Sequence, residues 1–318
     1  MSNDTIGVDI SKDHLDTHRI SDGESHRFAN DRAGHKAFMT WLGKRASPQS
    51  LAGLRVVYEP TGPYHRAFER RLADAGLDLV KVNPRQARRF AEATGKLAKT
   101  DRLDAAMLAR MGALLGLEAR AVRSPLLNDL KDLHIAREAL VKMRTAVKNR
   151  ARTQTLALLK RQNGEQLRQI ERQMAAIDQE ILALIKADPD LARRFAILVS
   201  IPGVAAITAC ALLIDMPELG TIQNAQTASL AGLAPIARQS GRWTGRAFIR
   251  GGRANVRQAP YMPALVAMRF NPDLKRKYDQ LIATGKPAKV AITAIMRKLI
   301  VLANALLRDN RMWQEIRA

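Results

Sequence analysis

Cysteine occurs once in this chain, at Cys210 within an apolar run. That excludes a disulfide framework and a thiol-based metal cluster, and such a lone thiol reads as a small core residue in a reducing cytoplasm. Aromatic residues make up only 4%, so a stacking surface for unpaired bases is not indicated and nucleic-acid recognition would rest on backbone charge and shape. Acid is the largest deficit: 30 Asp and Glu stand against 52 Lys and Arg, a formal net charge of +22. From Leu219 to Pro272, 54 residues hold seven arginines and no acid.

Other absences narrow the function. Gly95-Lys96 lacks the upstream glycine of a phosphate-binding P-loop. His14, His18, His26, His35, His65 and His134 show no metal-ligand spacing and read as incidental, more surface than ligand. The start MSNDTIGVDIS lacks the basic and apolar regions of a signal peptide. The twenty uncharged residues from Phe195 to Ile214 reach membrane-span length, but Ile201-Pro202-Gly203-Val204 interrupts them, so two short buried helices are expected and no membrane is implied.

What is present is a folded chain. With 318 residues and 47% hydrophobic content, it is long enough for two domains, each with a real core. Its excess positive charge calls for a polyanionic partner.

The first third alternates strands and helices. Thr5–Ile10, Leu15–Ile20 and His26–Ala29 read as a meander. A helix from an Asp31 cap to Leu42, a strand in LRVVYEP, a helix over 64–75, a strand over 77–82 and helices over 84–93 and 101–114 follow, which predicts a mixed sheet with helical cover. From Ser124 to Ala187 the pattern is long, charged and helical, with a break expected at Asn163-Gly164. Leu167, Ile170, Met174, Ile177, Ile181 and Leu184 form a heptad seam that fits either an intramolecular hairpin or a dimer contact. Between Lys142 and Arg161 there are seven basic residues and no acid, so Lys142, Arg144, Lys148, Arg150 and Arg152 are candidate phosphate contacts. The third region opens with the Pro202-Gly203 turn, in the manner of a helix-hairpin-helix, and ends in an apolar-periodic helix over 289–307. The expected domains are 1–120, 121–190 (the arm) and 191–318.

Two constellations carry chemistry. Asp9 and Glu59 end strands, while Asp101 and Asp104 open a helix at i, i+3 spacing on one face. Alone, each reads as a surface carboxylate or a helix-terminal charge. Together they suit Mg²⁺ or Mn²⁺, and two such ions about 4 Å apart stabilise both oxygens of a phosphoryl transfer. The second is ARQSGRWTGRAFIRGGRANVRQ, residues 237–258, with Ser240 among Arg238, Arg242, Arg246, Arg250, Arg253 and Arg257, all six of them candidate nucleic-acid contacts. It is either a basic linker or a place where a hydroxyl meets a phosphate.

GVDIS around Asp9, VVYEPTG around Glu59, KTDRLDA around Asp101 and Asp104, then LVSIPGV, LAGLAP and the Arg-Gln-Ser-Gly of Ser240 resemble the DEDD-type transposases of the insertion-sequence-110 family along essentially the whole chain. The resemblance implies an RNase H-like, RuvC-like α/β N-terminal domain, a helical coiled-coil arm and a mostly α C-terminal transposase domain. It further implies divalent metal on the four acids, Ser240 as the nucleophile that links covalently to DNA, donor and target DNA as substrates, and a structured bridge RNA as guide. A dimer or tetramer, with the site shared between protomers, and a cytoplasmic, nucleoid-associated location belong to the same expectation. In this chemistry, arginines such as Arg238, Arg242, Arg246 and Arg250 would offset charge developing on the phosphate. The competing readings are a junction nuclease that never uses Ser240, an actin-like kinase, for which the residues after Asp9 lack phosphate-binding glycines, and a non-catalytic nucleic-acid scaffold.

Overall fold

A computed structural model describes residues 4–43, 54–95, 101–119 and 122–314, the side chains of residues 101 and 102 excepted. The chain forms two compact units, Met1–Arg123 and Ser124–Ala318.

The first unit is built on a five-stranded sheet of β1 (Thr5–Ile10), β2 (His14–Arg19), β3 (Ser25–Ala29), β4 (Arg55–Tyr58) and β5 (Asp78–Lys81), in the order β3-β2-β1-β4-β5. The meander β1-β2-β3 is antiparallel, and β4 and β5 add in parallel to β1. Central β1 is buried along nearly its whole length, as a strand covered on both faces must be. On one face, Ile6, Val8, Ile10, Val56 and Tyr58 meet Phe38, Trp41 and Leu42 of α1 (Arg32–Gly43) and Phe68 and Leu72 of α2 (Arg66–Asp74). On the other, Val57, Val80 and Val82 meet Ala87 of α3 (Pro84–Ala93) and Met107, Leu108 and Met111 of α4 (Asp101–Leu115). Local chemistry sets the helix starts. Asp31 accepts from the Gly34 amide at 2.7 Å, and Asn83 caps α3 just ahead of Pro84.

The second unit opens with a helical hairpin, α5 (Pro125–Ala151) and α6 (Ala157–Ala187). The turn falls at residues 152–156, and α6 runs unbroken through Asn163-Gly164, which corrects the break expected there. Asn163 is buried, with its side-chain amide hydrogen-bonded to Gln154, so packing overrides the turn preference of Asn-Gly. The heptad seam is covered within the chain. Ile170 and Met174 pack with Val147, Leu140 and Val141 of α5, and Arg137 pairs with Asp178 across the hairpin.

The segment expected as a separate arm shares the second unit's core. Leu130, Ile181 and Ile185 join one apolar cluster with α7 (Pro189–Ser200), α8 (Ala206–Asp215), α10 (Ala254–Gln258), α11 (Tyr261–Phe270), α12 (Pro272–Ala283) and α13 (Ala288–Arg308), against which Leu230 of α9 (Asn224–Leu230) packs. The apolar run at 195–214 is two helices, as expected. Gly203 turns between them at φ +93°, and a Cβ there would lie 2.7 Å from the Pro263 carbonyl oxygen. Among the described residues one helix, α13, is long and apolar enough to cross a membrane, and its Ile295, Leu299, Ile300, Ala303 and Leu306 are buried in this core. Cys210 is buried as expected, and burial pushes its thiol up to about 11. His35 and His134 are buried too, which corrects the expectation of surface histidines.

Candidate functional site

The acidic set is positioned by two glycines. A Cβ on Gly7 of β1 would fall 1.9 Å from the Ala105 carbonyl oxygen and 2.4 Å from the Ala109 nitrogen of α4. One on Gly112 would fall 2.3 Å from Val57 and 3.0 Å from Thr5. Going from Gly112 to Ala105 along the helix therefore follows Thr5 to Gly7 along the strand, so α4 runs antiparallel to β1 and lies directly on it. One more helical turn back, about 6 Å, reaches Asp101, and two more strand residues, about 6.6 Å, reach Asp9.

Glu59 arrives by register. Val8 pairs with Tyr58 in the parallel β1–β4 ladder, so Asp9 and Glu59 come next at the carboxyl ends of adjacent strands. Thr5 and Val57 contact Gly112 of α4, so alternation places Asp9 and Glu59 on that same face. Asp9, Glu59 and Asp104 are each half-buried. Asp101 starts α4 at the same edge, but its side chain lies outside the described residues.

One carboxylate at this edge escaped the sequence reading. Asp16 sits directly across from Asp9 in the antiparallel β1–β2 pair. Like charges opposed across strands repel, and here Arg27 grips Asp16 with two hydrogen bonds of 2.9 Å. Nothing in the spacing of Asp16 signals this, because the pairing depends on register.

The donor set fits a hard divalent cation, since every member is a carboxylate and the edge offers no thiolate or imidazole among these positions. Among the described residues no three His, Cys, Asp or Glu side chains gather closely enough to make a complete metal site by themselves.

Ser240 occupies a different setting in the second unit. The stretch expected as either linker or site is an ordered pair of nested ribbons. In the outer ribbon β6 (Pro235–Ile236) pairs with β9 (Phe248–Ile249); in the inner one β7 (Gln239–Ser240) pairs with β8 (Trp243–Thr244). Ser240 pairs with Trp243 across the two-residue turn Gly241-Arg242. Gly241 has φ +56° while Arg242 does not share it, the pattern of a type II′ hairpin, for which glycine is the favoured first residue. The serine is exposed at the ribbon's end.

The six arginines of this stretch divide into two groups. Arg238, Arg242, Arg246 and Arg250 are exposed, with Arg238 over the Phe248 ring at 5.6 Å. Arg253 is committed to protein partners. It donates to both oxygens of Glu218 at 2.6 and 2.8 Å and to the Asp215 carbonyl at 2.8 Å, and the Glu218 hydrogen bond raises its pKa above the usual arginine value against the opposing effect of burial. Arg257 donates to the Gly251 carbonyl at 2.7 Å. These two brace the segment that returns the ribbon to α10 (Ala254–Gln258).

Beneath this brace lies a polar link to α5. Asp215, at the end of α8, pairs with Lys131 and lies 3.3 Å from His134 Nε2. Burial alone would raise the Asp215 pKa, but the hydrogen bonds from His134 and Lys131 outweigh it and hold the carboxyl below its ordinary range. Asn255 donates to Glu138 at 3.1 Å. On the hairpin itself Lys142, Lys148, Arg150 and Arg152 are exposed and Arg144 is half-buried.

Comparison with known proteins assigns the chain. The DEDD transposase family of IS110 elements matches residues 6–160, and the transposase IS116/IS110/IS902 family matches residues 195–279. The first match spans all four acids and the second spans Ser240. A pilin gene-inverting protein of Moraxella bovis is 30% identical over 323 residues, covering 98% of each chain, and that of Moraxella lacunata matches equally. An uncharacterized 43.6 kDa protein of insertion element IS110 from Streptomyces coelicolor is 30% identical over 164 residues, 51% of this chain and 40% of that one. With both family profiles and full-length relatives in agreement, the chain belongs to the IS110 family of transposases and is a DNA transposase, an enzyme of DNA recombination.

Proposed function

We propose that this transposase cuts and rejoins DNA through a phosphoserine formed at Ser240, with an RNase H-like first unit whose Asp9, Glu59, Asp101 and Asp104 hold Mg²⁺ or Mn²⁺. The observation that carries the reading is the close seat of α4 on Gly7, which brings the start of α4 to the strand ends bearing Asp9 and Glu59. Strand order β3-β2-β1-β4-β5 with an antiparallel meander first supports the RNase H-like reading. Divalent-metal use accords with membership of a DEDD-type family. A cation on these carboxylates would polarise the phosphate and lower the proton affinity of an attacking oxygen.

In the proposed step the Ser240 Oγ–phosphorus bond forms as the phosphorus–oxygen bond to the departing deoxyribose breaks. The hydroxyl proton leaves Ser240, and a proton is delivered to the departing oxygen. Because the ester retains the bond energy, a free deoxyribose hydroxyl can reverse the exchange and join new strands without ATP. Arg238, Arg242, Arg246 and Arg250 are exposed in the same stretch as the serine and in this reading offset charge on the phosphate oxygens.

Sequence choice in this reading belongs to a structured bridge RNA paired with donor and target DNA. A net charge of +22 supports it, since a protein that delegates base reading needs chiefly backbone contacts. Lys142, Lys148, Arg150 and Arg152 supply such contacts on the hairpin. The working form is a homo-oligomer, dimer or tetramer, joined through surfaces other than the heptad seam. The Moraxella relatives are named for inverting a gene, and inversion requires the same cutting and rejoining.

The test is adduct formation on element-end DNA by the full chain with its co-purified RNA. Ser240→Ala is expected to abolish denaturation-resistant protein–DNA adducts, and Asp9→Asn or Asp104→Asn to abolish them together with calorimetric binding of Mg²⁺ or Mn²⁺. Undiminished cutting by the Ser240→Ala variant would favour a water-using nuclease and sink the covalent step.

A further inference from the structure

We infer that Trp243 is a stacking platform for an unpaired DNA base beside the phosphate at Ser240, an inference that rests on the reading of Ser240 as nucleophile. Ser240 and Trp243 are direct partners across the β7–β8 ribbon. Residues so paired project from the same face with Cβ atoms about 4.5–5.5 Å apart, so the Trp243 side chain springs from the ribbon beside Ser240 and its ring runs along β8 over Gly245.

The indole is placed and yet uncovered. Trp243 is 56% exposed, whereas Trp41 is buried in the first unit's core and Trp313 packs against that of the second. Gly245 explains how the ring is held. A Cβ at Gly245 would fall 2.3 Å from Trp243 Cη2 and 2.9 Å from Cζ2 and Cζ3. Gly245 is not among the glycines of positive φ, so the backbone conformation does not require a glycine there, and what its missing side chain provides is room for the ring in this position. An aromatic seated against the backbone loses little freedom when a partner covers it.

The surroundings select the partner. From Pro235 to Arg250 there is no acid, and Arg238, Arg242, Arg246 and Arg250 are exposed on the same stretch of chain as the indole. An apolar protein surface gains nothing from these cations, while single-stranded DNA presents phosphates to them and a base to the ring. A serine at the end of a ribbon also needs access to a phosphate, and unstacking the adjacent base provides it at a cost that Trp243 offsets. Low overall aromatic content argues against an extended stacking surface; a single indole at the cutting point is sufficient for one base.

Fluorescence and binding titrations of the full chain with short single-stranded and duplex DNA test this. Addition of single-stranded DNA is expected to quench the wild type strongly and Trp243→Phe much less. Trp243→Ala should weaken single-strand binding about 5- to 100-fold, Trp243→Phe should recover most of it, and neither should change the salt slope, because no phosphate contact is lost. Gly245→Ala should displace the ring and mimic Trp243→Ala. Ser240→Ala should keep the quench, so a failed nucleophile reading would appear as undiminished cutting by that variant with stacking intact. Wild-type affinity in Trp243→Ala, an equal loss on duplex DNA, or a loss confined to an oligoribonucleotide would each overturn the assignment.

Discussion

Gly7 of β1 and Ala105 of α4 approach so closely that a methyl group on the glycine would lie 1.9 Å from the alanine's carbonyl oxygen. That contact sets the height of α4 on the sheet, and with it the level at which Asp101 and Asp104 stand relative to Asp9.

Gly7→Ala is therefore expected to destabilise the first unit by about 1–3 kcal/mol or more, since backbone on both sides must move. The variant should lose Asp9-dependent metal binding even where it remains folded. Gly164→Ala is the contrasting case, because this glycine sits within α6 with only Arg168 Nη1 near, at 3.7 Å. There a gain of about 1 kcal/mol is expected from helix propensity. Urea unfolding followed by circular dichroism measures both.

The two groups of arginines in the serine segment should separate by salt dependence. Arg242→Ala removes an exposed cation, so the slope of log K against log salt for DNA binding should fall by about 0.7–0.9. Arg253→Ala removes a guanidinium held by Glu218 and the Asp215 carbonyl. It should lower the melting temperature and leave the slope near the wild-type value. An equal fall in slope for both variants would mean that Arg253 leaves Glu218 to contact phosphate.

Met174 tests the seam of the hairpin. It is buried against Val147 and Ile170, so Met174→Ala should cost about 2–5 kcal/mol. Sedimentation should show the same assembly mass in the variant as in the wild type, because the seam is filled from within the chain. A shift to smaller species would restore the seam as a contact between protomers.

His35 sets a pH dependence for the first unit. It is buried beside Phe68, its Nε2 is 2.9 Å from Asn30 Oδ1, and burial, against Asp31 and with Arg71, holds its pKa below the ordinary 6.5. The unfolded chain thus takes up a proton near pH 6.5 that the folded chain refuses. Stability should fall as pH drops from about 6.5 through the lower folded value. His35→Gln should flatten that part of the profile, as followed by thermal unfolding between pH 7.5 and 5.

Much of the fold was legible because it is written in local periodicity. The meander, the Asp31 cap and the two helices around Pro202-Gly203 follow from alternation, capping chemistry and the missing proline donor. Asn163-Gly164 misled because a turn signal is only a local preference, and Asn163 is buried in a helix that gains more from packing than the turn offers. Asp16 and Trp243 were invisible as partners of Asp9 and Ser240 for another reason. The Asp9–Asp16 pairing is a matter of strand register that residue spacing does not encode, and the Ser240–Trp243 pairing depends on Gly241-Arg242 forming a two-residue turn within a stretch that also reads as a linker.

The sequence by itself determined the chemistry available to this protein: carboxylates at strand ends and a helix start, a serine among arginines, and a charge that demands a polyanion. Residue identity and short-range pattern suffice for that. Tertiary structure alone decided which of these groups are free to act. Arg253 and Arg257 are taken up by protein partners while Arg238, Arg242, Arg246 and Arg250 are left exposed, and the heptad seam is closed by its own neighbouring helix. Such outcomes depend on which surfaces meet across long stretches of chain, and contacts of that range are fixed by packing rather than by sequence neighbours.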